Sequence, residues 1–142
     1  MNNLANQSEP CPNERVERIF SEFKAATVDP REFDHEAHVL VAWRYLQDDD
    51  LLPAIQKYSE ALRALTVKLG VAGKYHETIT WFYMIAVSER INRKTNADWL
   101  EFKAANADLF ARKPSLIQRY YSSAQLMSEN ARRVFVLPDM AA

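Results

Sequence analysis

Glycine and cysteine are both scarce in this chain of 142 residues, and each scarcity narrows the possible structures. There are only two glycines. Because glycine supplies the tight turns and bulges of strand-rich proteins, so low a content favours helices. The single cysteine, Cys11, cannot form an internal disulfide, which fits a reducing compartment. We therefore expect a cytoplasmic protein.

Long apolar runs and a strong net charge are also missing. The longest apolar window, residues 81–87, is far shorter than the roughly 20 residues that span a bilayer. No basic start followed by an apolar run comes after Met1, so the sequence predicts no signal peptide. A net charge of −1 gives no bulk attraction to nucleic acid or anionic lipid. We expect a small-molecule partner and neither nucleic acid nor a membrane, while no signal indicates an oligomeric state.

Apolar residues spaced three and four apart predict helices along most of the chain. The pattern predicts an all-α fold, a single-domain helical bundle of five to seven helices over residues 13–142, after a disordered tail over residues 1–12. Residues 78–83 are β-branched and aromatic and also fit a strand, but the polar continuation to residue 93 favours a helix. Residues 134–138 form an apolar segment that we expect to pack back on the body. The predicted helix starts are Asn13, Asp34, Pro53, Tyr75, Asn96, Pro114 and Ser128.

The three histidines lie in two short segments and are the main candidates for chemistry. His35 and His38 are three residues apart at the start of one predicted helix, so their imidazoles share a face. His76 lies near the start of another predicted helix, and all three fall on the lines of inward apolar residues. Three protein ligands with an open coordination position are typical of catalytic zinc or iron sites. The sequence therefore predicts that His35, His38 and His76 bind iron or zinc.

Glu77 directly follows His76, as the general base follows the first histidine of H-E-x-x-H metalloenzymes. Thr80 stands where that motif has its second histidine, so the motif is incomplete. Glu77 is accordingly a candidate catalytic base, an additional ligand, or an acid favoured by the helix dipole. Glu36 has the same alternatives, and either acid could form a two-histidine, one-carboxylate iron site with two of the three histidines. We expect the pocket for a small organic substrate to be lined by Tyr75, Thr80 and Tyr83.

These histidine segments resemble an uncharacterised family of small bacterial all-helical proteins. The shared features are an F-x-H-x-x-H helix opening, here Phe33, His35 and His38, and the segment YHETITW at residues 75–81. The segments KPSLIQRYYS at 113–122 and ARRVFVLPD at 131–139 are similar as well, so the resemblance covers most of residues 33–139. It implies a helical fold and a shared site, and it implies no particular reaction.

Two functions from different classes fit these patterns. The first is a small metal-dependent enzyme, an oxidoreductase or a hydrolase, with the three-histidine site and Glu77 acting on a small organic substrate. The second is a non-catalytic helical binding or interaction protein, in which the histidines form a buried polar cluster. In the second case, neighbouring hydroxyl groups bond the imidazoles without any metal. Metal content separates the two hypotheses.

Overall fold

The computed structural model describes residues 12–91 and 93–140, and within them the chain forms seven α-helices and three 3₁₀ turns. No β-strand occurs in those two ranges, so the predicted all-α, single-domain bundle is confirmed. The helices are α1 (Pro12–Lys24), α2 (His35–Asp48), α3 (Leu51–Lys68), α4 (Glu77–Arg90), α5 (Trp99–Ala105), α6 (Ser123–Leu126) and α7 (Glu129–Arg133). The 3₁₀ turns are Ala72–Lys74, Ala107–Phe110 and Leu116–Arg119.

The predicted N-terminal tail lies almost entirely outside the described residues, which begin at its last residue, Pro12. That proline opens α1, one residue before the predicted start. No helix in the described part of the chain is long and apolar enough to cross a membrane.

Helix α2 is the centre of the bundle and packs against α1, α3 and α4. Its N-cap is Asp34, as predicted, whose carboxylate accepts a hydrogen bond from the Ala37 amide. Beyond that first turn, a run of apolar side chains from residue 39 to residue 43 is buried on every side. A helix that is apolar all round must be enclosed by others, which explains its central place.

Helices α3 and α4 flank α2 and supply the other walls of the site described below. The spacing of apolar residues predicts an inward stripe of Ile55, Tyr58, Leu62, Leu65 and Leu69 on α3, and the first four are buried whereas Leu69 is 42% exposed. The helix ends before Gly70, whose φ of +74° takes the left-handed position common after a helix. The segment 77–90 is helical, so the helix prediction is confirmed over the strand alternative.

Two predicted helix starts, Asn96 and Pro114, are wrong, and those at Pro53 and Tyr75 are each two residues from the observed starts, Leu51 and Glu77. Asn96 does not cap α5; Asp98 does, and it forms a reciprocal capping box with Glu101. Pro114 does not open one continuous helix, because Ser115 and Ser122 each begin a separate short piece. The region is therefore a 3₁₀ turn followed by the single-turn helix α6.

The C-terminal segment 134–138 packs back on the body, as predicted, and Thr78 holds it. The Thr78 hydroxyl shares its one proton between the carbonyls of Ala131 and Val134, at 2.7 and 2.9 Å, and accepts from the Val136 amide at 3.2 Å. Phe135 stacks on Trp81. This buried threonine therefore joins the first turn of α4 to the chain after α7.

Candidate functional site

A cavity of about 540 Å³ lies between α2, α3 and α4, and all three histidines line it. This volume falls within the range of small-molecule sites, roughly 300–1,000 Å³. The predicted pocket residues Tyr75, Thr80 and Tyr83 line it too. The apolar wall includes Val39, Ala42, Leu62, Leu65, Leu69 and Met84.

His76 lies at the cavity wall, but backbone groups use both of its ring nitrogens. It is the N-cap of α4, which begins at Glu77 and not at residue 75 as predicted. Its Nδ1 accepts from the Ile79 amide at 3.1 Å, and its Nε2 donates to the Leu126 carbonyl at 2.7 Å. The ring therefore has no lone pair left for a metal ion or a ligand.

His35 has one engaged nitrogen and one without a protein partner in the described residues. Its Nε2 lies 2.8 Å from the Leu109 carbonyl oxygen. Because a carbonyl oxygen only accepts, Nε2 carries the proton, and Nδ1 of the neutral ring carries the lone pair. The imidazole also packs edge-to-face against the ring of Tyr83, at 5.0 Å between centroids.

His38 is paired with Tyr58 of α3. The Tyr58 hydroxyl donates its single proton to the backbone carbonyl of His38 at 3.3 Å, and its oxygen lies 3.2 Å from Nδ1 of the same residue. Both contacts are satisfied when Nδ1 donates to the tyrosine oxygen, which leaves the lone pair on Nε2. Burial, followed by the nearby His35, lowers the pKa of His38 to about 4, so the ring is neutral at pH 7.

The nitrogens without a protein partner, His35 Nδ1 and His38 Nε2, belong to side chains that line the cavity. Within the described residues, every side-chain nitrogen or oxygen that is fully buried has a hydrogen-bond partner. These two atoms have none, so they are reachable from outside the packed core, and the side chains that carry them line the cavity. The cavity thus presents two imidazole nitrogens with lone pairs.

Neither glutamate considered as a base or ligand lines the cavity. Glu77 pairs with Arg63, at 3.0 Å, and accepts the hydroxyl proton of Tyr75. Glu36 pairs with Lys103 at 2.9 Å and with Arg15 at 3.7 Å, toward α5 and α1. Both carboxylates are therefore engaged in ion pairs between elements of the scaffold.

The three predicted metal ligands are engaged differently in this structure. In residues 12–91 and 93–140, no group of three or more His, Cys, Asp or Glu side chains is arranged to hold a metal ion. His76 lacks a free nitrogen, and Glu77 is directed to Arg63. Of the three predicted ligands, only His35 and His38 retain a lone pair.

Tyr58 is a site residue that the sequence patterns indicated only as core. It lies on the inward stripe of α3 and forms a hydrogen bond with His38. A polar hydroxyl on an inward stripe is the sequence feature that could have indicated this bond. Lys74 lines the cavity as well, and it is exposed to solvent.

Comparison of the chain with protein-family models, with curated proteins and with solved structures found no match. The resemblance carried by residues 33–139 therefore stays a prediction. The functional argument depends on the cavity and its two free imidazole nitrogens.

Proposed function

We propose that the protein binds one small, largely apolar organic molecule in the cavity between α2, α3 and α4. The observation that carries this proposal is the unequal use of the three imidazoles. His76 is saturated by backbone groups, whereas His35 and His38 each keep one nitrogen without a protein partner at the cavity. An apolar pocket with a few convergent polar atoms is the usual form of a small-molecule site.

The shape of the cavity supports a binding role. Its apolar wall comes from the inward faces of α2 and α3, while the polar atoms gather where α2 begins. A ligand that fills the wall gains roughly 25 cal/mol for each Å² of apolar surface removed from water. The imidazole nitrogens then fix the orientation of its polar group.

The metal-dependent enzyme, with iron or zinc on His35, His38 and His76, stays a prediction with less support. The bonds of His76 to Ile79 and Leu126 would have to break before its ring could ligate an ion. Elemental analysis of the purified protein tests this point directly. Stoichiometric iron or zinc that is lost in His76→Ala would overturn the binding proposal in favour of the metal site.

Titration with 2-methoxynaphthalene, an apolar molecule smaller than the cavity, tests the binding proposal. We expect saturable 1:1 binding, observed by ligand-detected NMR and by calorimetry. Ala42→Leu adds three carbon atoms at the cavity wall, and we expect it to weaken binding at least about fivefold, or ~1 kcal/mol. Ala64→Leu is the matched control, because Ala64 is exposed on α3 outside the cavity. Binding that is unsaturable, or equally strong in both variants, contradicts the proposal.

A cytoplasmic location belongs to the same proposal. Its support is the single cysteine of the chain, which suits a reducing compartment. The net charge of −1 favours a small molecule over nucleic acid as the partner.

A further inference from the structure

Four of the five hydroxyl groups that line the cavity have already donated their protons within the protein. Thr80 donates to the His76 carbonyl at 2.8 Å, and Thr66 donates to the Arg63 carbonyl at 2.8 Å. Tyr75 donates to the Glu77 carboxylate, and Tyr58 donates to the His38 carbonyl. None of these four protons is left for a ligand.

Tyr83 completes the set of hydroxyl groups on the cavity wall. Its hydroxyl interacts with the backbone of Ile117 and the side chain of Ser115, and neither of these residues lines the cavity. The ring of Tyr83 therefore contributes its face and edge to the wall, and its polar end is directed to the 3₁₀ turn Leu116–Arg119.

The polar atoms that remain in the interior are acceptors. His35 Nδ1 and His38 Nε2 each carry a lone pair, because the other nitrogen of each ring holds the proton and donates it to Leu109 or Tyr58. The Asp34 carboxylate at the edge of the cavity is an acceptor as well. The one charged donor, Lys74, is exposed at the rim and not in the interior.

We propose that the ligand is a neutral apolar molecule that brings a hydrogen-bond donor, a phenol or alcohol hydroxyl or a heteroaromatic N–H, to His35 Nδ1 or His38 Nε2. This inference rests on the proposed function and adds the chemical class of the ligand. A donor pairs with these lone pairs, whereas an ether oxygen or a carboxylate would face them without a proton between. The apolar wall further disfavours a charged group in the interior.

Three probes of the same ring system separate these cases: 2-naphthol, 2-methoxynaphthalene and 2-naphthoate. At pH 7 the first is a neutral donor, the second lacks the donor, and the third is an anion. We expect calorimetry to rank 2-naphthol about tenfold tighter than 2-methoxynaphthalene, the effect of one hydrogen bond that a buried acceptor would otherwise lack. We expect 2-naphthoate to bind more weakly than either.

Two conservative variants keep the structural bonds and displace the cavity acceptors, because the amide carbonyl oxygens of asparagine and glutamine do not coincide with the lost imidazole nitrogens. In His38→Asn, the side-chain amide nitrogen takes the place of Nδ1 and can still donate to Tyr58. In His35→Gln, the amide nitrogen takes the place of Nε2 and can still donate to the Leu109 carbonyl. We expect the double variant to bind 2-naphthol and 2-methoxynaphthalene with affinities within about twofold, and each single variant shows which nitrogen accepts.

The outcomes distinguish this inference from the proposed function. If 2-methoxynaphthalene binds but 2-naphthol binds no more tightly, the ligand class is wrong and the binding site stands. If 2-naphthoate binds most tightly, or if the double variant keeps the tenfold preference, the ligand class is likewise wrong. If no probe binds, both proposals fail. Should the double variant not fold, the ranking of the three probes on the unaltered protein decides.

Discussion

Replacing His76 by alanine tests the role that the structure gives to this residue. The imidazole caps α4 by accepting from the Ile79 amide, and it ties that helix start to α6 by donating to the Leu126 carbonyl. Alanine removes both bonds at once. We therefore expect His76→Ala to lower the free energy of unfolding and not to act through a metal.

The size of the effect follows from the two bonds. Loss of an N-cap side chain costs about 1 kcal/mol. Loss of a second hydrogen bond, here to Leu126, costs about 1 kcal/mol more. A total near 2 kcal/mol is a substantial fraction of the roughly 5–15 kcal/mol that stabilises a domain.

Urea unfolding followed by circular dichroism measures this change, with His76→Asn as the control. Asparagine is a good N-cap and restores the bond to the Ile79 amide, but it is too short to reach Leu126. We expect His76→Asn to lose about half as much stability as His76→Ala, near 1 kcal/mol. The reasoning is refuted if His76→Ala unfolds within about 0.5 kcal/mol of the unaltered protein, the usual range of a surface substitution.

Three further results are expected. Long-range ¹H–¹⁵N correlation spectra should show protons on Nε2 of His35 and His76 but on Nδ1 of His38; the same tautomer at all three would contradict the assigned bonds. The pKa of His38 is lowered from 6.5 to about 4 in the folded protein, so the unfolded chain binds a proton at His38 at a higher pH than the folded chain does. The free energy of unfolding should therefore fall as the pH drops from 6.5 to about 4. His38→Asn should flatten that part of the profile, and an unchanged slope would assign it to other groups. Thr78→Val keeps the shape of a fully buried side chain but leaves its backbone partners unpaired. We expect it to lower the free energy of unfolding in urea by about 2 kcal/mol. An unchanged free energy would mean that the stacking of Phe135 on Trp81 alone holds the C-terminal segment.

Much of the fold could be predicted because it depends on local spacing. The inward stripe of α3 and the cap at Asp34 involve residues within a few positions of each other, and both are present in the structure. The N-cap of α5 could also have been predicted from the sequence. Asp98 stands three residues before Glu101, which is the spacing of a capping box, and it was a stronger choice than Asn96.

The site was predictable in place but not in chemistry. The three histidines and the pocket residues Tyr75, Thr80 and Tyr83 line one cavity. Whether a histidine is free depends on the carbonyls of Leu109 and Leu126, which are 74 and 50 residues away from the imidazoles they bind. No spacing rule connects residues so distant. His76 was also hard to recognise as a cap, because serine, threonine, aspartate and asparagine are the usual N-caps.

The anchors of His35 and His76 have a consequence for how the protein is made. Residues 30–84 supply the whole lining of the cavity, yet the carbonyls that orient these two rings belong to residues 109 and 126. A ribosome therefore releases every lining residue before the groups that orient its imidazoles. Until Leu109 and Leu126 have emerged, the nascent chain lacks the carbonyls that bind His35 and His76, while Tyr58 is already present to bind His38.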